Sequence, residues 1–172
     1  MNEDFDYRHT ALYPGTFDPI TYGHLDIITR AIQIFDTLII AVGFNLQKTP
    51  LFTLEERLDM VKTVTEPLRD RIIIDKFQGL LVDYARSRGI HRVIRGLRAV
   101  TDFEYEFQTA LTNRSLDPQF ESVFLMTSSE YTYLSSTIVR EVAYWGGNIE
   151  KFVPPYVAEQ LRKKLGNSYR GE

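Results

Sequence analysis

The stretch YPGTFDPITYGHLDII, residues 13 to 28, joins a run typical of a β-strand to an apolar run of helical period. The strand is predicted over Thr10–Tyr13 and the helix over His24–Phe35. The stretch contains two prolines, two glycines, two threonines and one histidine. A strand-to-helix turn of this composition brings backbone N–H groups and a helix N-terminus to one point, which favours an anion site.

Apolar runs and helical patterns alternate along the rest of the chain. Further strands are predicted over Thr37–Phe44, Arg71–Asp75, Arg92–Arg95 and Glu121–Met126. Further helices are predicted over Thr53–Val64, Leu80–Arg88, Asp102–Ser115, Ser136–Tyr144 and Pro155–Leu165. This alternation predicts an α/β fold, with a five-stranded parallel sheet and helices on both faces. No linker divides the chain, so residues 1–172 are expected to form a single domain, with the motifs between about 10 and 165.

Composition excludes several classes of protein. With no cysteine, the chain has no disulfide framework, thiolate metal site or cysteine nucleophile. A net charge of −3 argues against broad nucleic-acid binding, which needs a basic face. The most apolar run, Leu38–Phe44, is too short to cross a bilayer, so no membrane role is expected. We therefore expect a soluble, cytoplasmic protein.

The turn after the first strand combines residues suited to a phosphate. Gly15 allows a positive φ or close ligand approach, and Gly23 lets the helix begin close to a neighbour or ligand. Thr16 offers a hydroxyl, Thr21 is a candidate N-cap, and His24 lies in the first helical turn. A tight turn with a packing histidine would explain each residue alone. The combination favours a phosphate site, although the P-loop and GxGxxG patterns are absent from the sequence.

Cations follow two other predicted strands. Lys48 follows the second strand, where a solvated loop lysine is the alternative interpretation. Arg95 and Arg98 flank Gly96, which is expected to turn the chain, and their guanidinium forks suit phosphate oxygens. The alternative is surface arginines paired with acids of the next helix. The run Glu104–Glu106 could hold those arginines, line a ribose site or simply face solvent.

A second anion site is predicted after the fifth strand. Ser135, Ser136 and Thr137 open a helix there, and Arg140 lies one turn further on. One serine cap would explain a stable helix start. Three successive hydroxyl groups beside an arginine instead favour phosphate binding. Two such helix N-termini can grip the two ends of a polyphosphate.

Four segments together resemble bacterial phosphopantetheine adenylyltransferase: YPGTFDPITYGH, IRGLRAVTDFEYE, ESVFLM and LSSTIVREV. The similarity runs from about Ala11 to about Leu165. TYGH matches the (H/T)xGH signature of nucleotidyltransferases, and LSSTIVRE matches their ISSTxVRE signature. These two signatures are shared across a superfamily, whereas the RGLRA…DFEYE stretch is specific to this member.

The resemblance implies a Rossmann-like sheet and transfer of adenylyl from ATP to 4′-phosphopantetheine, with Mg²⁺ required. It implies a homohexamer built as a dimer of trimers. By motif position it assigns acceptor binding to Thr16, Lys48, Leu81 and Arg95, and catalysis to His24 and Lys48. It assigns ATP binding to Thr16, Phe17, His24, Gly96, Leu97, Arg98, Glu106, Tyr131, Thr132, Tyr133, Leu134, Ser135, Ser136 and Thr137. It suggests no protein ligand for Mg²⁺.

The implied acceptor is a phosphate, which is already a nucleophile at neutral pH, so no general base is needed. His24 is then expected to stabilise charge as a neutral N–H donor, because a helix N-terminus and Lys48 disfavour its imidazolium form. One alternative is another (H/T)xGH nucleotidyltransferase, acting on nicotinamide mononucleotide or on a sugar or alcohol phosphate. The other is a non-catalytic nucleotide-binding or sensor module, which would not need His24, Lys48 and the hydroxyl run together.

Overall fold

The structure, a computed structural model, describes residues 9–43, 49–98 and 100–166. Five parallel strands form one sheet in the order β3-β2-β1-β4-β5. They are β1 (Thr10–Gly15), β2 (Thr37–Gly43), β3 (Ile72–Phe77), β4 (Arg92–Leu97) and β5 (Glu121–Met126). The predicted parallel sheet is confirmed. Strand order reverses between β1 and β4, where sheets of this kind bind ligands beyond their carboxyl ends.

Six helices connect and flank the strands. They are α1 (Tyr22–Ile34), α2 (Leu54–Thr65), α3 (Leu81–Ser87), α4 (Val100–Leu116), α5 (Ser136–Tyr144) and α6 (Pro155–Leu165). Each was predicted, and the boundaries differ by at most two residues. Short 3-10 segments at Glu66–Leu68 and Ser129–Tyr131 were not predicted. Within the described ranges, no helix has the length and apolar character needed to cross a membrane.

Helices cover both faces of the sheet, as predicted. Along β1, Ala11 and Tyr13 belong to one buried cluster, with residues of α1, α2, α5 and α6. Leu12 lies between them and belongs to a second cluster on the opposite face, with Val82 and Ala85 of α3. Alternate residues of a buried strand point to opposite faces, so a continuous apolar run fills both layers.

Two glycines of the predicted site make room for neighbouring side chains. Gly96 does not turn the chain, because it lies inside β4. A Cβ added there would lie 3.1 Å from Cγ1 of Ile27, so Gly96 allows α1 to pack closely on the sheet. Gly15 also lies inside its strand and has no positive φ. A Cβ at Gly15 would lie 2.8 Å from the ring of Phe17, so the glycine makes room for that ring.

A fully buried arginine joins the carboxyl ends of β1 and β2. The Nη1 group of Arg57 donates to the carbonyl oxygen of Thr16 at 2.7 Å and to that of Gly43 at 2.9 Å. Its Nε donates to the carbonyl oxygen of Thr53, the N-cap of α2, at 3.3 Å. Burial lowers the pKa of Arg57, and the charge of Asp18 opposes this. The guanidinium therefore fixes three backbone segments around the strand ends.

Replacing Arg57 with methionine, an unbranched side chain of similar length, should destabilise the protein. Arg57→Met removes the side-chain donors of the Thr16 and Gly43 carbonyl oxygens, whereas the Thr53 oxygen still accepts the backbone N–H of residue 57. Each of the two losses costs about 1–3 kcal/mol. We expect the free energy of unfolding, measured by urea denaturation, to fall by at least about 2 kcal/mol. The matched control is Arg69→Met, whose side chain is 72% exposed and pairs with Glu66. That control should change stability by less than about 0.5 kcal/mol; equal, small effects of both changes would contradict this role.

Candidate active site

The turn after β1 folds back on itself around Phe17. This residue has a φ of 47°, an uncommon value for a non-glycine residue, and its side chain is 1% exposed. Its ring packs edge-on against Tyr13, with ring centroids 5.6 Å apart, and against His24 at 5.1 Å. The Phe17 ring therefore packs against the histidine ring and supports it. Since its ring is buried, Phe17 can face a ligand only through its backbone.

Asp18, which the sequence analysis did not single out, anchors this turn. Its buried carboxylate accepts backbone N–H groups of Leu51 and Phe52, both at 2.9 Å, from the segment that precedes α2. Its Oδ2 also lies 3.0 Å from Nη1 of Arg140 in α5. Arg140 was expected to bind a phosphate, but in the structure it braces the turn through Asp18. The carboxylate thus joins three segments that are distant along the chain.

Thr21 holds the His24 ring by a reciprocal pair of contacts. The Thr21 hydroxyl oxygen accepts the backbone N–H of His24 at 3.4 Å, and the Thr21 backbone N–H donates to Nδ1 of His24 at 3.0 Å. This confirms Thr21 as the N-cap of α1. A backbone N–H can only donate, so Nδ1 is an acceptor and the proton of the neutral ring lies on Nε2. His24 therefore presents an Nε2–H donor.

The charge state of His24 follows from its surroundings. Burial, and then the positive charge of Arg98, lower the pKa of His24 from 6.5 to about 4. The ring is therefore neutral at pH 7, which agrees with the expectation from the sequence. Burial and the charge of Arg98 are causes that the sequence analysis did not name. Lys48 itself lies outside the described residues.

The arginines at the end of β4 both pair with carboxylates of α4. Arg95 donates to Glu106 through Nε and Nη2, both at 2.7 Å. Arg98 donates to Asp102 through Nε at 2.9 Å and Nη2 at 3.2 Å. The sequence analysis left open that acids of the next helix, including the run Glu104–Glu106, hold these arginines. The observed partners are Asp102 and Glu106, whereas Glu104 is exposed.

The hydroxyl groups at the start of α5 form hydrogen bonds within the protein. Ser135 is the N-cap and accepts the N–H of Ile138 at 3.2 Å. The Ser136 hydroxyl donates to the carbonyl oxygen of Pro19 at 2.8 Å, which joins α5 to the turn after β1. The Thr137 hydroxyl accepts from Nη2 of Arg140 at 3.4 Å. Anion binding here would therefore depend on the first-turn N–H groups of the helix, which have no partners within it.

The segment after β4, the start of α1 and the segment before α5 meet at the point where strand order reverses. Nη1 of Arg98 donates to the carbonyl oxygen of Leu134 at 3.2 Å, so the end of β4 contacts the segment before α5. Tyr131 stacks on Tyr22 at the start of α1, with ring centroids 6.4 Å apart. The side chains of Leu97 and Leu134 are buried, so a ligand could meet them only at their backbone. Thr132 and Tyr133 are exposed.

The residues assigned to the acceptor are partly brought together. Leu81, at the start of α3, and Arg95 line the same small cleft, together with Glu106. Thr16 lies in the turn after β1, where its carbonyl is held by Arg57. Arg95 lies within β4 and Arg98 directly follows that strand, so the cleft lies beside the carboxyl half of β4.

Sequence reasoning missed Asp18 and Arg57, which position the site without being exposed to it. A signal for Arg57 was present, because it falls between Leu54 and Val61 on the apolar spacing of α2. Nothing in the local sequence around Asp18 indicated its partners, which lie 33 and 34 residues away in Leu51 and Phe52.

Known proteins place the chain in a family. Residues 12–142 match the cytidylyltransferase-like family. The chain is 54% identical over 165 residues to a phosphopantetheine adenylyltransferase of Anaeromyxobacter dehalogenans, covering 95% of this chain and 99% of that protein. It is 53% identical over 161 residues to the phosphopantetheine adenylyltransferase of Dictyoglomus thermophilum, covering 94% and 98%.

Solved structures agree on the fold. A nicotinic acid mononucleotide adenylyltransferase of Plasmodium falciparum, complexed with NaAD, superposes with a TM-score of 0.66 and 14% identity, covering 90% of this chain and 94% of that one. Its complex with APC gives 0.65 and 15%, over 90% and 94%. Similarity at this level shows the Rossmann-like fold alone. The relatives at more than 50% identity are closer, and they establish that the chain belongs to the phosphopantetheine adenylyltransferases, within the cytidylyltransferase-like family.

Proposed function

We infer that this chain transfers the adenylyl group of ATP to 4′-phosphopantetheine, giving dephospho-CoA and pyrophosphate in coenzyme A biosynthesis. The observation that carries this inference is the 54% identity, over 95% of the chain, to a protein of that name. The site is consistent with it, because a neutral histidine donor and two arginines lie where strand order reverses. The function rests on this relationship together with the site, not on the fold, which hosts many activities.

The reaction needs no general base. A phosphate oxygen of the acceptor attacks the α-phosphorus of ATP, the bond from that phosphorus to the α,β-bridging oxygen breaks, and pyrophosphate leaves. His24 is poorly suited to remove a proton, since Nδ1 accepts from Thr21 and Nε2 carries the proton of the neutral ring. It is suited to donate Nε2–H to an oxygen of the transferred phosphate, where negative charge shifts during transfer. Catalysis is then positioning plus charge stabilisation.

We propose that the remaining assigned residues divide between the two substrates. Arg95 and Leu81 hold the acceptor, and they are neighbours, because both border the same narrow cleft. Arg98, Tyr131 and the N-terminus of α5 line the ATP site, together with the other residues that the family resemblance assigns to it. Lys48 is proposed to act with His24 on the transferred group and with the acceptor.

Mg²⁺ is proposed as the required cation. In the described ranges, no group of three histidine or acidic side chains is arranged to hold a metal ion. Mg²⁺ commonly keeps its waters and binds through substrate phosphates. We therefore propose that it arrives with ATP, held by phosphate oxygens and water, and we assign it no protein ligand. Its chemistry would be neutralisation of the charge on the phosphates.

We also propose a homohexamer in the cytoplasm. Support for association comes from α4, where Phe103, Phe107 and Leu111 are 44%, 46% and 51% exposed at a spacing of one helical turn. The rings of Phe103 and Phe107 stack with centroids 5.6 Å apart, which forms a continuous apolar surface. Light scattering on a size-exclusion column should give a hexamer at micromolar concentration. A monomer under those conditions would rule the assembly out.

The most direct test of the reaction is pyrophosphate release by the purified protein with ATP and Mg²⁺. Release is expected with 4′-phosphopantetheine, but not with nicotinamide mononucleotide or with a sugar or alcohol phosphate. Release with one of those acceptors alone would favour another (H/T)xGH enzyme. Binding of ATP without release for any phosphorylated acceptor would favour a non-catalytic nucleotide-binding module.

Removing the His24 side chain should lower kcat far more than ATP affinity. Loss of one preorganised donor to developing charge typically costs about 10²–10³ in kcat. We expect this loss for His24→Ala, with a much smaller change in the ATP dissociation constant measured by calorimetry. His24→Gln, which can offer an amide N–H, should recover part of the rate. The control is His9→Ala, because His9 is exposed and lies before β1. An ATP affinity that falls by the whole loss in kcat/KM, at constant kcat, would make His24 a ground-state ligand.

A further inference from the structure

Helix α4 presents two carboxylates to the two arginines at the end of β4. Asp102 pairs with Arg98, and Glu106 pairs with Arg95. The two acids are four residues apart, so they lie on the same face of α4, one turn from each other. Each arginine therefore faces an internal anion of its own.

The pair formed by Arg95 and Glu106 is more enclosed than the pair formed by Arg98 and Asp102. The side chains of Arg95 and Glu106 are 27% and 14% exposed, against 39% and 26% for Arg98 and Asp102. Burial by itself would lower the pKa of Arg95, but hydrogen bonds and the charge of Glu106 raise it above its ordinary value. Glu106 thus stabilises the charged guanidinium in a site that is partly removed from water.

The geometry of this pair imitates a bound phosphate. Two parallel N–H groups of Arg95 donate to the two oxygens of Glu106, both at 2.7 Å. A phosphate would use the same fork in the same way. The carboxylate therefore occupies one of the two edges of the guanidinium that can donate to a phosphate.

We propose that Glu106 competes with the phosphate of the acceptor for the charge and the donors of Arg95, and that it thereby lowers the affinity of the protein for the acceptor. The proposal rests on the proposed function, which gives Arg95 its role with the acceptor. The carboxylate already neutralises the guanidinium, and its own negative charge lies next to the group that would bind the phosphate. Glu106 is then a positioning residue that holds Arg95 in place, at the cost of part of the acceptor's affinity.

Calorimetric titration of three proteins with two ligands tests this competition. The ligands are 4′-phosphopantetheine and pantetheine, which lacks the phosphate. Glu106→Gln removes the charge but keeps an oxygen that accepts from Arg95, and it should bind 4′-phosphopantetheine about three- to tenfold more tightly than the natural protein. Its affinity for pantetheine should stay unchanged. The matched control is Asp102→Asn, one turn away on α4, which should leave the affinity for 4′-phosphopantetheine unchanged.

Three results would overturn the proposal. Equal or weaker binding of 4′-phosphopantetheine by Glu106→Gln would mean that Glu106 only supports Arg95. An equal gain in Asp102→Asn, or a gain for pantetheine, would mean that the effect is general. If circular dichroism shows that Glu106→Gln is unfolded, Glu106→Asp replaces it, with a weakened contact and an expected gain of the same sign. A natural protein that does not bind 4′-phosphopantetheine would instead contradict the proposed function.

Discussion

The buried carboxylate of Asp18 is the contact on which the geometry of the site depends. It binds two backbone N–H groups of the segment before α2 and the guanidinium of Arg140 in α5. A buried charge is stable only when it is paired and hydrogen-bonded, and here each oxygen has such a partner. Arg57 also braces the turn, because its guanidinium donates to the carbonyl oxygens of Thr16 and Gly43. Together they hold the turn between β1 and α1 rigidly enough to aim a side chain.

That side chain is His24, and its orientation decides what chemistry it can do. The N–H of Thr21 occupies Nδ1, and the Phe17 ring packs against the imidazole. The ring is thereby limited to one tautomer and one donor. Burial and Arg98 keep it neutral, so it keeps the Nε2 proton through the physiological range. A nucleophile that is already ionised needs this kind of donor and has no need of a base, which is why the same turn suits adenylyl transfer to a phosphate.

Much of the fold could be predicted from local sequence. Apolar runs predicted the strands, and the Thr21 cap of α1 was recognisable, because both depend on neighbours a few residues away. The partners of Asp18 could not be predicted, since Arg140 lies 122 residues from it. Likewise, nothing in the local sequence at the start of α5 indicated that the Ser136 hydroxyl donates to the carbonyl oxygen of Pro19, 117 residues away. The hydrophobic period of a helix or strand predicts which of its faces is buried, but it does not predict which polar groups meet across the sheet.

The central claim is that His24 is a neutral Nε2–H donor held by Thr21, and nitrogen NMR of the protein with ¹⁵N-labelled histidine tests it most directly. The chain has three histidines, so His24→Gln identifies the His24 signals. Between pH 8 and pH 5 we predict an unchanged pattern in which Nδ1 is unprotonated and Nε2 carries hydrogen, because the pKa is lowered to about 4. The unfolded chain binds this proton near pH 6.5, whereas the folded protein binds it only near pH 4. The stability of the folded protein should therefore fall as the pH decreases from 6.5 towards 4. A His24 ring that titrates near pH 6.5, or that carries its proton on Nδ1, would contradict the account.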